Sequence, residues 1–212
     1  RSSDLAPMSK QTLEFWFEFA SSYSYLSVMR IEPLARAAGV TLQWRPFLLG
    51  PVFLSLGWND SPFNIYPPKG RYMWRDLARL ASRYGLPLKV PSRFPRNGLL
   101  AARVALAGAD EAWMPAFCRA VMRANFAEDR EIADVEVISA ILASLELPVD
   151  TILARAESPE NKQALRRQTE RASEIGLFGA PSFVTPDGEL FWGNDRLEDA
   201  LEWVKKGGVA AP

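Results

Sequence analysis

The run TLEFWFEF, residues 12–19, constrains this chain more than any other stretch. Leu13, Phe15, Phe17 and Phe19 alternate onto one side, with Trp16 and Glu18 on the other, and the run is rich in strand-favouring aromatics. It reads as a central strand. Residues 23–38 follow with helical spacing at Leu26, Arg30, Leu34 and Ala38 and stop at Gly39. Pro33 lies inside and should kink that helix by deleting a backbone hydrogen bond. TLQWRPF, residues 41–47, is then a second short strand, and a helix of that length between two strands permits a parallel crossover, a βαβ unit.

From Gly50 the texture changes. GPVFLSLGWNDSPFNIYPPKG holds four prolines, three glycines and two asparagines, so it reads as a loop. Long loops inside compact domains usually serve function. Helical patterns then dominate to residue 176. Met73, Leu77, Leu80, Ala81 and Tyr84 line one face; Trp113, Phe117 and Val121 mark a second helix, and Val135, Ile138, Leu142 and Leu145 a third. SPEN, residues 158–161, opens another, with Ser158 as cap and Pro159 at the first helical position, and Gly176 ends it. PSFVT and ELFW around the turn PDG read as a hairpin. GNDRLEDALEWVKKGG closes the chain as a capped helix with Leu197, Leu201 and Val204 facing inward.

The order is βαβ, a block of helices, then ββα, an α/β protein. With 212 residues and 48% apolar content it can bury one core, and it shows no repeat or interdomain linker. Residues 12–207 are read as a single domain. Residues 1–11 are an extension, the first seven of them read as an expression remnant ahead of Met8, and 208–212 are a tail.

Composition removes whole classes of chemistry. The 25 basic and 25 acidic side chains cancel and neither forms a block, so no footprint for nucleic acid is expected. Cys118 is the only cysteine, which excludes intramolecular disulfides, dithiol redox chemistry and thiolate metal clusters and fits a reducing cytoplasm. With no histidine, the Ser-His-Asp and Cys-His schemes and imidazole metal sites fall away, and no metal is expected. No apolar run approaches the roughly 18 residues a membrane span needs.

The element order, with FGAPSF ahead of the final hairpin, resembles a thioredoxin fold carrying a helical insertion, as in DsbA-like proteins. The halves would be about 12–50 and 177–206, with the insertion at about 51–176. The resemblance puts Pro181 at the position of a cis-proline that faces the N-terminus of the first helix; a trans proline opening the strand is the plainer alternative. Where such folds hold C-x-x-C, this chain has Ser21-Ser22-Tyr23-Ser24. FWFEFASSYSYL and WGNDRLEDAL further resemble the 2-hydroxychromene-2-carboxylate isomerases and kappa-class glutathione transferases, and the likeness runs from about Thr12 to Val204. Two positions depart: Ser22 stands where a proline is usual, and Leu54 where many members have a lysine able to hold a substrate carboxylate.

The resemblance implies a glutathione-dependent isomerase acting on an unsaturated aromatic oxo-acid through a transient glutathione adduct. Its alternatives are a kappa-type transferase and a noncatalytic binding protein. Ser21, without a base to activate it, would donate to the glutathione sulfur beside the positive end of the helix; the competing reading is that Ser21 or Ser22 only caps that helix. Ala180 and Pro181 would pair with the cysteinyl unit, Trp192 and Gly193 would shape the wall, and Asn194 and Asp195 would hold polar groups of the tripeptide or cap the last helix. For the second substrate, Asn64, Lys69, Phe94 and Asn97 are expected on the lid and wall, each with a plainer role open to it: Asn97 as a cap, Lys69 in solvent, Phe94 in the core. Glu18 reads as an edge-facing strand residue, or else an acid behind the site, and Cys118 as inert core. Tyr23 and Tyr25 are split between substrate wall and core. Relatives of this kind are commonly homodimers, so a homodimer is expected.

Overall fold

A computed structural model describes residues 11–207; the extension up to residue 10 and the tail from 208 lie outside the described residues. Strand β1 (Thr12–Phe17) is central in a four-stranded sheet of order β2-β1-β3-β4, with β2 at Thr41–Pro46, β3 at Ser182–Val184 and β4 at Leu190–Trp192. β2 runs parallel to β1 in the register Thr12 to Thr41, and β3 and β4 are antiparallel additions from the far end of the chain. The central place shows in its burial, because both faces of β1 are covered. Leu13, Phe15 and Phe17 enter the main core beside Trp44 and Phe183, while Trp16 faces the other way, onto Phe47, Val52, Ala172 and Leu177.

Helix α1 (Ser22–Ala38) makes the crossover and runs on through Pro33 to Gly39, whose φ of 69° is the left-handed cap expected of glycine. Between the sheet halves lie α2 (Leu49–Ser55), α3 (Pro62–Ile65), α4 (Pro67–Tyr84), α5 (Leu99–Ala107), α6 (Met114–Phe126), α7 (Val135–Ser144), α8 (Val149–Ala156) and α9 (Pro159–Glu174). A 3-10 turn at Asn194–Arg196 leads into α10 (Leu197–Lys206), which buries Leu197, Leu201 and Val204.

One expectation is corrected here. The segment from Gly50 to Gly70 is mostly helical, not loop. Its prolines start helices: Pro62 and Pro67 each occupy a first helical position, where a missing N–H costs nothing, and Ser61 caps α3 through Phe63 N at 3.3 Å. Ser158 behaves as expected and accepts from Asn161 N at 3.2 Å.

On the face opposite the main core, Glu14 is 1% exposed and accepts from Arg45 Nη2 at 2.8 Å, Arg171 Nη2 at 3.4 Å and Trp16 Nε1 at 3.0 Å. A carboxylate this deep is tolerated because charged donors surround it. It pins β1, β2 and α9 together.

Candidate active site

β1 ends at Phe17, and the turn Glu18-Phe19-Ala20 delivers Ser21 to the start of α1. Ser21 has extended backbone angles, and its Oγ accepts from Ser24 N at 3.2 Å, so it is the N-cap. The same hydroxyl donates to Ala180 O at 3.0 Å, across from the cis Ala180–Pro181 peptide. Capping and facing the cis-proline are thus one arrangement. Ser22 is not the cap: it is 2% exposed, with its hydroxyl on Met73 Sδ at 3.0 Å. Ser24 is fully buried in α1.

Ser21 opens onto a cavity of about 1120 Å³ between the sheet halves and the helical insertion. Ala180, Trp192, Gly193, Asn194 and Asp195 line one side, and Lys69, Phe94 and Asn97 line the other. Asn64 and Pro181 are not on the lining. Asn64 instead donates to the Asp60 carboxylate at 3.2 Å and to Phe94 O at 3.3 Å, tying α3 to the Phe94 segment from outside.

The closing motif divides its labour. Asn194 is 2% exposed, and its Oδ1 accepts from Ser27 Oγ at 3.0 Å and Arg30 Nη1 at 3.1 Å, so its side chain fastens the 3-10 turn to α1. Asp195 points outward with a side chain 74% exposed. Neither caps a helix with its side chain, because the turn begins at Gly193 and α10 only after Arg196. Gly193 has φ 109°, a left-handed value that favours glycine. Trp192 meets Phe178 at a tilt with centroids 4.9 Å apart, and Gly179 lies so close to its indole that any Cβ there would collide with it.

On the opposite wall Phe94 meets Trp74 edge-on at 5.0 Å. Lys69 Nζ hovers 5.7 Å from the Phe63 ring. Asn97 Oδ1 accepts from Leu99 N at 2.9 Å, a capping contact for α5. Leu54, the residue at the lysine position, is exposed on the lining and apolar. Of the two tyrosines, Tyr23 is wall, its hydroxyl donating to Asp76 Oδ2 at 2.9 Å, and Tyr25 is core. Burial and then the Asp76 contact push the Tyr23 phenol up.

Of the two readings of Glu18, the structure overturns the edge-facing strand residue and agrees with the acid at the site. Glu18 lies past the strand, is 7% exposed, and lines the cavity. Burial pushes its carboxyl up to about 8, only partly offset by the hydrogen bond from Ala20 N at 3.0 Å. Arg96, not singled out from the sequence, is 5% exposed and also borders the cavity. It donates to Asn125 Oδ1 at 3.0 Å and to Asp129 Oδ1, while Asn125 Nδ2 donates to Phe19 O at 3.0 Å. The Phe94 wall is thereby braced against the turn that carries Ser21. Hydrogen bonds from Ser92 and then from Arg96 hold the Asp129 carboxyl well below the usual range. Cys118 is buried and off the lining, its thiol pushed up by burial.

Residues 12–204 match the DSBA-like thioredoxin domain family. The chain is 30% identical over 189 residues to the 2-hydroxychromene-2-carboxylate isomerase of Sphingobium xenophagum, covering 89% of this chain and 95% of that one. It is 25% identical over 208 residues to the glutathione S-transferase kappa 2 of Caenorhabditis elegans, covering 92% of each. A solved structure of a 2-hydroxychromene-2-carboxylate isomerase superposes with a TM-score of 0.81 at 27% identity, covering 92% of this chain and 95% of that one. The fold, the serine facing a cis-proline and these likenesses agree: the chain belongs to the DSBA-like thioredoxin domain family and is an enzyme of its isomerase and kappa-class transferase type.

Proposed function

We propose that the cavity binds glutathione and catalyses the isomerisation of an unsaturated aromatic oxo-acid. The observation that carries this reading is the Ser21 hydroxyl at the positive end of α1, hydrogen-bonded to Ala180 O on the lining of a cavity that also holds apolar walls. Glutathione, when bound, supplies a nucleophilic thiolate able to add to a conjugated carbon and leave again.

The chain's own groups prepare for that. Ser21 is held by Ser24 N and Ala180 O, so its oxygen is fixed while its proton can turn from Ala180 O towards a sulfur. Ala180 O is then free to accept from a cysteinyl N–H, as a strand edge accepts from an extended peptide. A hydrogen bond to a charged group is worth roughly 1.5 to 3 kcal/mol, which lowers a thiol by about one to two pH units. Asp195, exposed on the lining, suits the ligand's α-ammonium, and Trp192 over Gly179 forms a flat wall for its chain. Asn194 contributes by holding this turn against α1. Phe94, Lys69 and Asn97 would bound the oxo-acid, with Asn64 bracing Phe94 from behind. The same reading carries a homodimer in a reducing cytoplasm.

The second reading, conjugation of glutathione to an electrophile, draws on the kappa-class relative and uses the same groups up to the addition step. Isothermal titration with glutathione tests both, and absence of binding would sink both. Product analysis separates them: free glutathione recovered with an isomerised oxo-acid supports isomerisation, and a stable thioether supports transfer.

A further inference from the structure

A carboxyl group that is buried, borders a ligand cavity and lacks a cation to neutralise it is costly to keep. Glu18 is such a group. It is 7% exposed and lines the same cavity as Ser21. Oε2 accepts from Ala20 N at 3.0 Å, and Oε1 has no hydrogen-bond partner among the described residues. The position is sculpted for it: a Cβ on Gly98 would come within 2.7 Å of Oε1 and 3.1 Å of Phe19 Cβ, so glycine there makes the room.

Charged and titratable groups around it are otherwise engaged. On α1, Tyr23 donates to Asp76 of α4. On the segment before α5, the Arg96 guanidinium reaches Asn125, Ser92, Asp129 and Glu131. Lys69 lies over Phe63 at the start of α4. Asp60 sits across the cavity, held by Ser61 N and Asn64, and Asp195 and Arg196 pair on the far wall. None forms an ion pair with Glu18 among the described residues, so the carboxyl stays protonated well above the ordinary range.

We propose that Glu18 is the proton donor and acceptor for the carbonyl oxygen of the oxo-acid, a further catalytic residue of this cavity. The inference rests on the isomerase reading above. When a thiolate adds at the far end of the conjugated system, the electron pair of the C=C bond shifts and negative charge develops on the carbonyl oxygen. Glu18 gives that oxygen its proton, leaving an enol and a carboxylate. The former double bond is now single and rotates. Glu18 then takes the proton back, the C=O and C=C bonds re-form, and the thiolate leaves. Every atom and charge returns to its starting place, and nothing is oxidised or reduced.

The test compares the wild type with Glu18→Gln, using as probe 2-hydroxychromene-2-carboxylate, a cyclic hemiketal that opens to a phenol bearing the conjugated oxo-acid, at saturating glutathione. Glutathione affinity and thermal midpoints are measured alongside turnover. General acid–base catalysis of this kind is worth about 100-fold or more, so kcat should fall by that factor with KM and glutathione affinity within about twofold. Wild-type turnover should decline as pH rises through about 8, and the variant should lack that limb. A raised folded value favours the native state below the ordinary 4.5, and the benefit is lost as pH rises towards about 8, so only the wild type should show that loss in thermal midpoint. A variant that binds glutathione and turns over within about threefold of the wild type with the same alkaline limb overturns the proposal alone. Wild type that binds no glutathione overturns the isomerase reading and the proposal with it. If the variant does not fold, the wild-type profile decides: turnover that stays level or rises through pH values about one unit above that value refutes the role.

Discussion

Replacing Ser21 by alanine removes two contacts of different kinds. The first is the cap on Ser24 N at 3.2 Å, whose loss costs about 1 kcal/mol of folding stability and lowers the thermal midpoint of a chain this size by roughly 2 to 4 °C. The second is the proton now on Ala180 O, which in the proposed function is the one offered to sulfur. Taking the thiol of glutathione at about 8.5, roughly 3% is thiolate at pH 7 without help. With a contact worth about 1.5 to 3 kcal/mol, the fraction rises to about a quarter or more. The alanine variant should therefore lose roughly tenfold in bound thiolate at neutral pH and recover it as pH rises by one to two units. The assay is the ultraviolet absorbance of thiolate in the glutathione complex, followed against pH. Ser21→Thr serves as control, since it keeps an oxygen able to cap and to donate. A bound thiol that titrates identically in the wild type and the alanine variant would refute the donor role and leave Ser21 as a cap alone.

Other substitutions probe the surroundings. Gly98→Ala puts a Cβ 2.7 Å from Glu18 Oε1, so it should cost about 1 to 3 kcal/mol in denaturant titration and depress turnover by displacing the carboxyl. Arg45→Met leaves the buried Glu14 with Arg171 at 3.4 Å as its remaining cation; urea unfolding should show a loss of about 1.5 to 3 kcal/mol, while glutathione affinity of the folded protein stays unchanged because neither residue lines the cavity. Asp129→Asn should destabilise near neutrality. The Asp129 carboxyl is depressed below its ordinary 3.8, so its contribution is present above that value and lost on acidification, and the thermal midpoints of variant and wild type should converge as pH falls below about 4.

The frame of the fold was legible because β1 alternates, α10 carries a strong period with apolar residues on the inner face, and α1 is closed by Gly39 before the next strand. The insertion was not legible at its start. Proline next to glycine and asparagine signals a loop, and only the placement of Pro62 and Pro67 at helix beginnings reverses that meaning. In the site, the serine in place of a thiol stood out from its junction between strand and helix. Glu18 did not, because what buries it is the segment around Gly98, about 80 residues onward, and no local pattern reports such a contact. Asn194 and Asp195 are neighbours with opposite destinies for a similar reason. Which of the two turns inward depends on Ser27 and Arg30 of a helix at the other end of the chain.

The lining of the cavity falls into two classes by chain position. Residues 18–23 and 178–196 build the side around Ser21, and the whole opposite side comes from the unbroken stretch 48–99. A family built this way can change what it accepts by exchanging one stretch of gene, without touching the chemistry. Splicing the corresponding stretch of a relative between Phe47 and Leu100 should transplant substrate range as a cassette, provided Asn125 and Asp129, which grip Arg96 from beyond it, are swapped along with it.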